Sequence, residues 1–121
     1  MKIENIKFKA KNILDGAWMQ GDLIHKEDGK IAILRNGFNV SEVDPSTVCQ
    51  FTGLKDMNGV EVYENDIVKI DDWEETICNV EYKDYGFCLC AKSFRDGVMP
   101  LFVAVGNCDI YVIGNKFGKE K

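Results

Sequence analysis

The chain has 121 residues, 45% of them hydrophobic and 29% charged, and a net charge of −5. That length suits one compact domain or two small lobes sharing a core, and the composition excludes wholesale disorder. No stretch approaches the roughly 20 apolar residues of a membrane span, and the opening Met1-Lys2-Ile3-Glu4-Asn5-Ile6-Lys7 carries charges where a signal peptide would be apolar, so a cytoplasmic protein is expected. Five cysteines at uneven spacing (Cys49, Cys78, Cys88, Cys90, Cys108) make a poor disulfide framework and read as reduced thiols.

In chain order, Ile6, Phe8 and Ala10 alternate with Lys7, Lys9 and Lys11, the period of a half-buried strand. Residues 18–25 and 30–35 read as two strands joined by the polar loop Lys26-Glu27-Asp28-Gly29. Asn36-Gly37 is a tight-turn pair, since both residues tolerate positive φ, and residues 38–43 supply the next strand. Pro45 breaks the pattern, residues 48–51 resume it, and 52–59 form a turn-rich connector ending in Asn58-Gly59, expected as a second type I′ turn. Strands are then expected over 60–63, 66–71, 76–82, 87–92, 99–105 and 108–113, with turns at Glu64-Asn65 and 83–86. A short helical turn is allowed near Ser93-Phe94-Arg95 or after Pro45, and nowhere does helical spacing persist for three turns. The fold class is therefore all-β with little helix, built of short antiparallel strands as a sandwich or small barrel.

Charge is unevenly spread. Residues 1–11 carry four lysines against one glutamate, whereas residues 56–84 carry ten acids against Lys69 and Lys83. An acidic middle repels phosphate and favours a basic partner. The densest acidic run, Asp71-Asp72-Trp73-Glu74-Glu75, reads as a hairpin tip and a candidate partner surface, with Trp73 as an apolar anchor and Tyr82, Tyr85 and Phe87 further along. No glycine bends this run as a calcium loop would require. Lys7, Lys9 and Lys11 could follow a nucleic-acid backbone, but no aromatic residue interleaves with them on their face of the strand to stack bases.

No metal, cofactor or catalytic set emerges. Cys88 and Cys90 leave one face of a strand, yet a structural zinc site wants a second ligand pair, and His25 is the single histidine. A cysteine nucleophile would need that same distant His25 as its base. Phosphate-cradling glycine loops are missing, because Gly53 and Gly59 belong to turns.

The most specific segment is central. It runs Gln50-Phe51-Thr52-Gly53-Leu54-Lys55-Asp56-Met57-Asn58-Gly59 and continues Val60-Glu61-Val62-Tyr63-Glu64-Asn65-Asp66-Ile67. This resembles the signature of the YopX family of phage and prophage proteins, and Asn65 stands where that family more often has glycine. The blocks Ile6-Lys7-Phe8-Lys9-Ala10, Gly16-Ala17-Trp18-Met19-Gln20-Gly21-Asp22 and Val112-Ile113-Gly114-Asn115 are similar as well. The resemblance implies a single unit over residues 1–121: N-terminal β hairpins over 1–44, a connector over 45–59, and an SH3-like small barrel over 60–121. It implies a phage- or prophage-encoded protein in a bacterial cytoplasm, with no established activity and no catalytic residues. Read physically, the motif is a folding device. Gly53 and Asn58-Gly59 supply permissive backbone, Leu54 plugs the core, Asp56 accepts backbone N–H groups, and Tyr63 and Ile67 bury beside the Glu64-Asn65 turn.

The expectation is a non-enzymatic accessory protein that meets a basic protein partner through the acidic segment, self-association being allowed. The alternative is a nucleic-acid-binding module that uses the N-terminal lysines.

Overall fold

The computed structural model describes residues 2–71, 75–83, 86–91 and 97–118. The chain divides into two compact units, one running to Phe51 and the other starting at Thr52. The architecture is antiparallel β throughout. Helix is confined to two 3-10 turns, Ile3–Asn5 and Pro45–Thr47, and one short α-helix.

In the first unit, β1 (Phe8–Lys11), β2 (Trp18–His25), β3 (Ile31–Arg35) and β4 (Asn39–Val43) form consecutive hairpins, and the start of β5 (Cys49–Lys55) pairs with β1 through Phe8↔Gln50. Asn36 (φ 55°) and Gly37 (φ 78°) both take positive φ, as a type I′ turn demands, and the Phe38 N–H donates to the Arg35 carbonyl at 3.3 Å. β4 is tied back to the end of β1 by an Asn12↔Val43 bridge, and the Asp44 N–H donates to the Lys11 carbonyl at 2.9 Å. After β4, Asp44 caps the Pro45–Thr47 turn by accepting the Ser46 N–H, which accounts for the break at Pro45. The core here is small: Ala10, Ile33 and Val43, flanked by Phe8, Met19, Leu23, Ile31 and Val48.

The second unit holds the larger core. β5 continues through Thr52 to Lys55 and β6 (Glu61–Tyr63) lies beside it. The expected connector over 52–59 is thus shortened: strand persists to Lys55 because Gly53, at φ 84°, bends the backbone without ending it. β7 (Asp66–Asp71), β8 (Glu75–Lys83), β9 (Gly86–Cys90), β10 (Val98–Pro100) and β11 (Ile110–Asn115) form a five-stranded sheet in the order β10-β9-β8-β7-β11. Val62, Val68, Ile70, Cys78, Val80, Leu89, Leu101, Ala104 and Ile110 fill its buried face.

Two expectations are corrected here. The strand over 99–105 stops at Pro100, and Leu101–Asn107 forms α1. Leu101 and Ala104 are buried, with Val105 and Cys108 packed against the same core, which is the i, i+3, i+4, i+7 stripe of a helix. The run Leu-Phe-Val-Ala-Val is apolar at every position, so its period does not distinguish strand from helix. The SH3-like barrel is the second correction, because the sheet stays open among the described residues. Its two edges are finished locally. β10 ends in Pro100, which has no N–H to extend a ladder, and the outer edge of β11 is occupied by the turn after β5. The other suggested helical turn, at Ser93-Phe94-Arg95, lies outside the described residues.

Candidate functional site

The family-like motif is built around two carboxylates. Asp56, only 8% exposed, stands at the end of β5. Its Oδ1 accepts the backbone N–H groups of Asn58 and Val60, each at 2.9 Å, and its Oδ2 accepts the Val112 N–H at 2.9 Å. One side chain thereby closes its own turn and takes the place of a neighbouring strand's carbonyl on β11. The Met57 N–H continues that edge by donating to the Ile110 carbonyl at 3.1 Å. An exposed row of strand donors invites pairing with another chain, and this turn covers it.

Asp66, 0% exposed, opens β7. It accepts the Tyr63 N–H at 2.7 Å on one oxygen and the Asn115 side-chain amide at 2.9 Å on the other. A carboxylate so buried is tolerated only with such donors. Between β6 and β7, Asn65 takes φ 70°. Its N–H donates to the Val80 carbonyl at 2.7 Å and its carbonyl accepts the Lys116 N–H at 2.8 Å. Asparagine thus does the turn work of a glycine.

The remaining motif residues have structural places of their own. Phe51 is 3% exposed, under the Lys7 ammonium. The Thr52 hydroxyl donates to the Val62 carbonyl at 2.7 Å, and Leu54 packs on the core. Tyr63 is 3% exposed, and Ile67 is half-buried. Gly59, at φ 79°, follows a turn in which its N–H donates to the Asp56 carbonyl at 3.0 Å. Asn58 has no positive φ, so the pair is not the expected type I′ turn. The carboxylate below it favours a type I turn closed by an αL glycine, the geometry of a three-residue hairpin with a bulge.

The N-terminal lysines are already engaged. Lys9 is 3% exposed with its ammonium 4.9 Å from the Trp18 ring centroid, and Lys11 lies 5.6 Å from the same ring. The lysine face of β1 shows no aromatic in the sequence because the rings come from the neighbouring strands, Trp18 from β2 and Phe51 from β5.

The thiols are free. Burial pushes the Cys78 thiol up to about 11, with Cys90 nearby adding to it, and burial followed by a hydrogen bond with Glu81 raises Cys90. Such thiols stay protonated and are poor nucleophiles at neutral pH. His25 is exposed at the end of β2, opposite Ile31. Among the described residues no three His, Cys, Asp or Glu side chains converge as metal ligands, and no helix is long and apolar enough to cross a membrane.

Asp72, Trp73 and Glu74 lie outside the described residues. Asp71 and Glu75 flank them as a directly opposed pair at the end of β7 and β8, and the Asp71 N–H donates to the carbonyl of Asp109 at 2.9 Å. Topology brings a further acid, Asp109, to the end of β7, which chain order concealed. Seven basic and seven acidic residues cancel up to Phe51. From Thr52 to Lys119 seven face twelve, so the net charge of −5 belongs to the second unit.

That unit also carries an apolar cleft of about 330 Å³, lined by Lys83, Gly86, Phe87, Cys88, Val98, Pro100 and Phe102. Tyr82, 54% exposed, stacks edge-on to Phe87 with centroids 5.1 Å apart, and Phe102 is 71% exposed. Tyr82 and Phe87 are among the candidate anchors expected from the sequence. Phe102 was concealed by the strand reading of its segment.

Neither a curated protein nor a solved structure matches the chain. A family model described as YopX protein matches residues 4–119, nearly the whole chain. The chain belongs to the YopX family.

Proposed function

We propose that this protein acts by binding rather than by catalysis, docking a basic protein partner on its second unit. The observation that carries the reading is the cleft: exposed Phe102 lines an apolar hollow, and exposed Tyr82 packs edge-on to its Phe87, on the unit that bears all the net charge. Aromatic side chains seated in apolar hollows dominate interface energies, while surrounding charge steers encounter. Asp71, Glu75 and Asp109, with Asp72 and Glu74 between them in sequence, supply that steering. Family membership is consistent with a phage- or prophage-encoded accessory protein working in a bacterial cytoplasm. The nucleic-acid alternative has less support, since Lys9 is buried against Trp18.

The experiment is a quantitative pull-down from a bacterial host with two baits, the full chain and its Tyr82→Ser/Phe102→Ser variant, alongside duplex and single-stranded DNA titrations at low salt. A basic protein held by the first bait and lost by the second supports the reading. Equal retention by both baits, or submicromolar DNA binding lost on changing Lys7 and Lys11 to glutamine, contradicts it.

A further inference from the structure

Among the described residues the cleft has one charged lining residue, Lys83, and its sign is opposite to that of the unit around it. Lys83 makes no ion pair among the described residues. The other side chains of the lining are Phe87, Cys88, Val98, Pro100 and Phe102. An occupant complementary to it therefore needs an apolar body and an anionic group close together. A partner that is basic overall, as the docking reading requires, offers that combination at its C-terminus when its last residue is apolar. At a chain terminus the carboxylate and the side chain of the last residue leave the same Cα. An internal Asp or Glu instead holds its carboxylate on its own polar stem, away from any neighbouring apolar group. The hollow is at the small end of the range for ligand sites and has room for one large side chain.

Resting on that docking reading, we propose that the cleft receives the C-terminal residue of the basic partner, its apolar side chain against Phe87, Pro100 and Phe102 and its free carboxylate at Lys83. Basic residues upstream would then meet the acidic remainder of the unit.

The test is an anisotropy titration of the full chain with two labelled peptides of identical basic sequence ending in phenylalanine, one with a free carboxylate and one amidated. The free form should bind about 3- to 5-fold tighter, the worth of one solvent-exposed ion pair. That preference should vanish in Lys83→Gln and at high salt, and both peptides should weaken in Phe102→Ser. Equal affinities, or a preference that survives Lys83→Gln, overturn the terminus assignment. If Phe102→Ser still weakens both peptides in that case, the docking reading stands. Absence of saturable binding by either peptide also overturns the assignment, whatever the pull-down returns.

Discussion

The two units reach order by different means. The first is a run of hairpins: each strand pairs with the next, the turns are short, and three residues, Ala10, Ile33 and Val43, form the buried centre. Its charges cancel. The second has a core cluster of nine buried apolar residues among those described, carries all the net charge, and sets two carboxylates where N–H donors converge. Local pairing suffices where strands are consecutive. Where strands meet across long sequence separations, as β11 meets β7, a fixed polar anchor specifies the junction. Asp66 with Asn115, and Asp56 with Val112, are separated by 49 and 56 residues respectively. The most family-specific stretch of the chain is on this view a fastening of the second unit.

The largest effect expected from this contrast is at Asp66. Asp66→Ala removes the buried carboxylate that accepts the Tyr63 N–H and the Asn115 amide, and should lower stability by about 3 kcal/mol in urea unfolding. Asp56→Ala, whose side chain is slightly more exposed, should cost about 2–3 kcal/mol by the same measurement. If either variant unfolds at the wild-type midpoint, the anchors are not what holds the second unit.

The next effect is set by pH. Cys78 is held up to about 11 from an ordinary 9.0 by burial. A raised thiol pKa means the unfolded chain releases its proton first. Stability is therefore full below about pH 9 and falls as pH rises toward 11, by on the order of 2 kcal/mol. Cys78→Ala should remove that alkaline loss while lowering stability at pH 7. An unchanged alkaline slope in the variant would contradict the assignment.

Gly59→Val should cost about 1–2 kcal/mol, because valine strains at φ 79° although open space surrounds the site. An unaltered melting temperature would show that the turn adapts. Smallest of all, Phe102→Ser should leave stability within about 0.5 kcal/mol, since the ring is mostly exposed. A larger loss would make Phe102 a packing residue and not a docking one.

Legibility in the sequence followed the same division. The strands of the first unit, with the Asn36-Gly37 turn and the break at Pro45, were readable because period-two alternation and local turn chemistry are short-range signals. Residues 66–71 were readable for the same reason. Asp56 was legible as a turn acceptor, but its reach to Val112 was not, since nothing near residue 56 marks residue 112. Asp66 appeared only as part of a pattern, its burial depending on Asn115. Helix α1 was missed because five consecutive apolar residues carry no period, and with it Phe102 and the cleft. The lysines of β1 looked free because their aromatic partners come from other strands. Apolar alternation reports one face of a strand and says nothing of what covers the other.

The claim that the motif is a fastening is tested most directly by amide hydrogen exchange at Asn58, Val60 and Val112. All three N–H groups should be protected in the wild-type protein. In Asp56→Ala they should lose protection together, while amides paired between β2 and β3 keep theirs. Free exchange at Val112 in the wild type, or protection of the three unaltered by Asp56→Ala, would contradict the account.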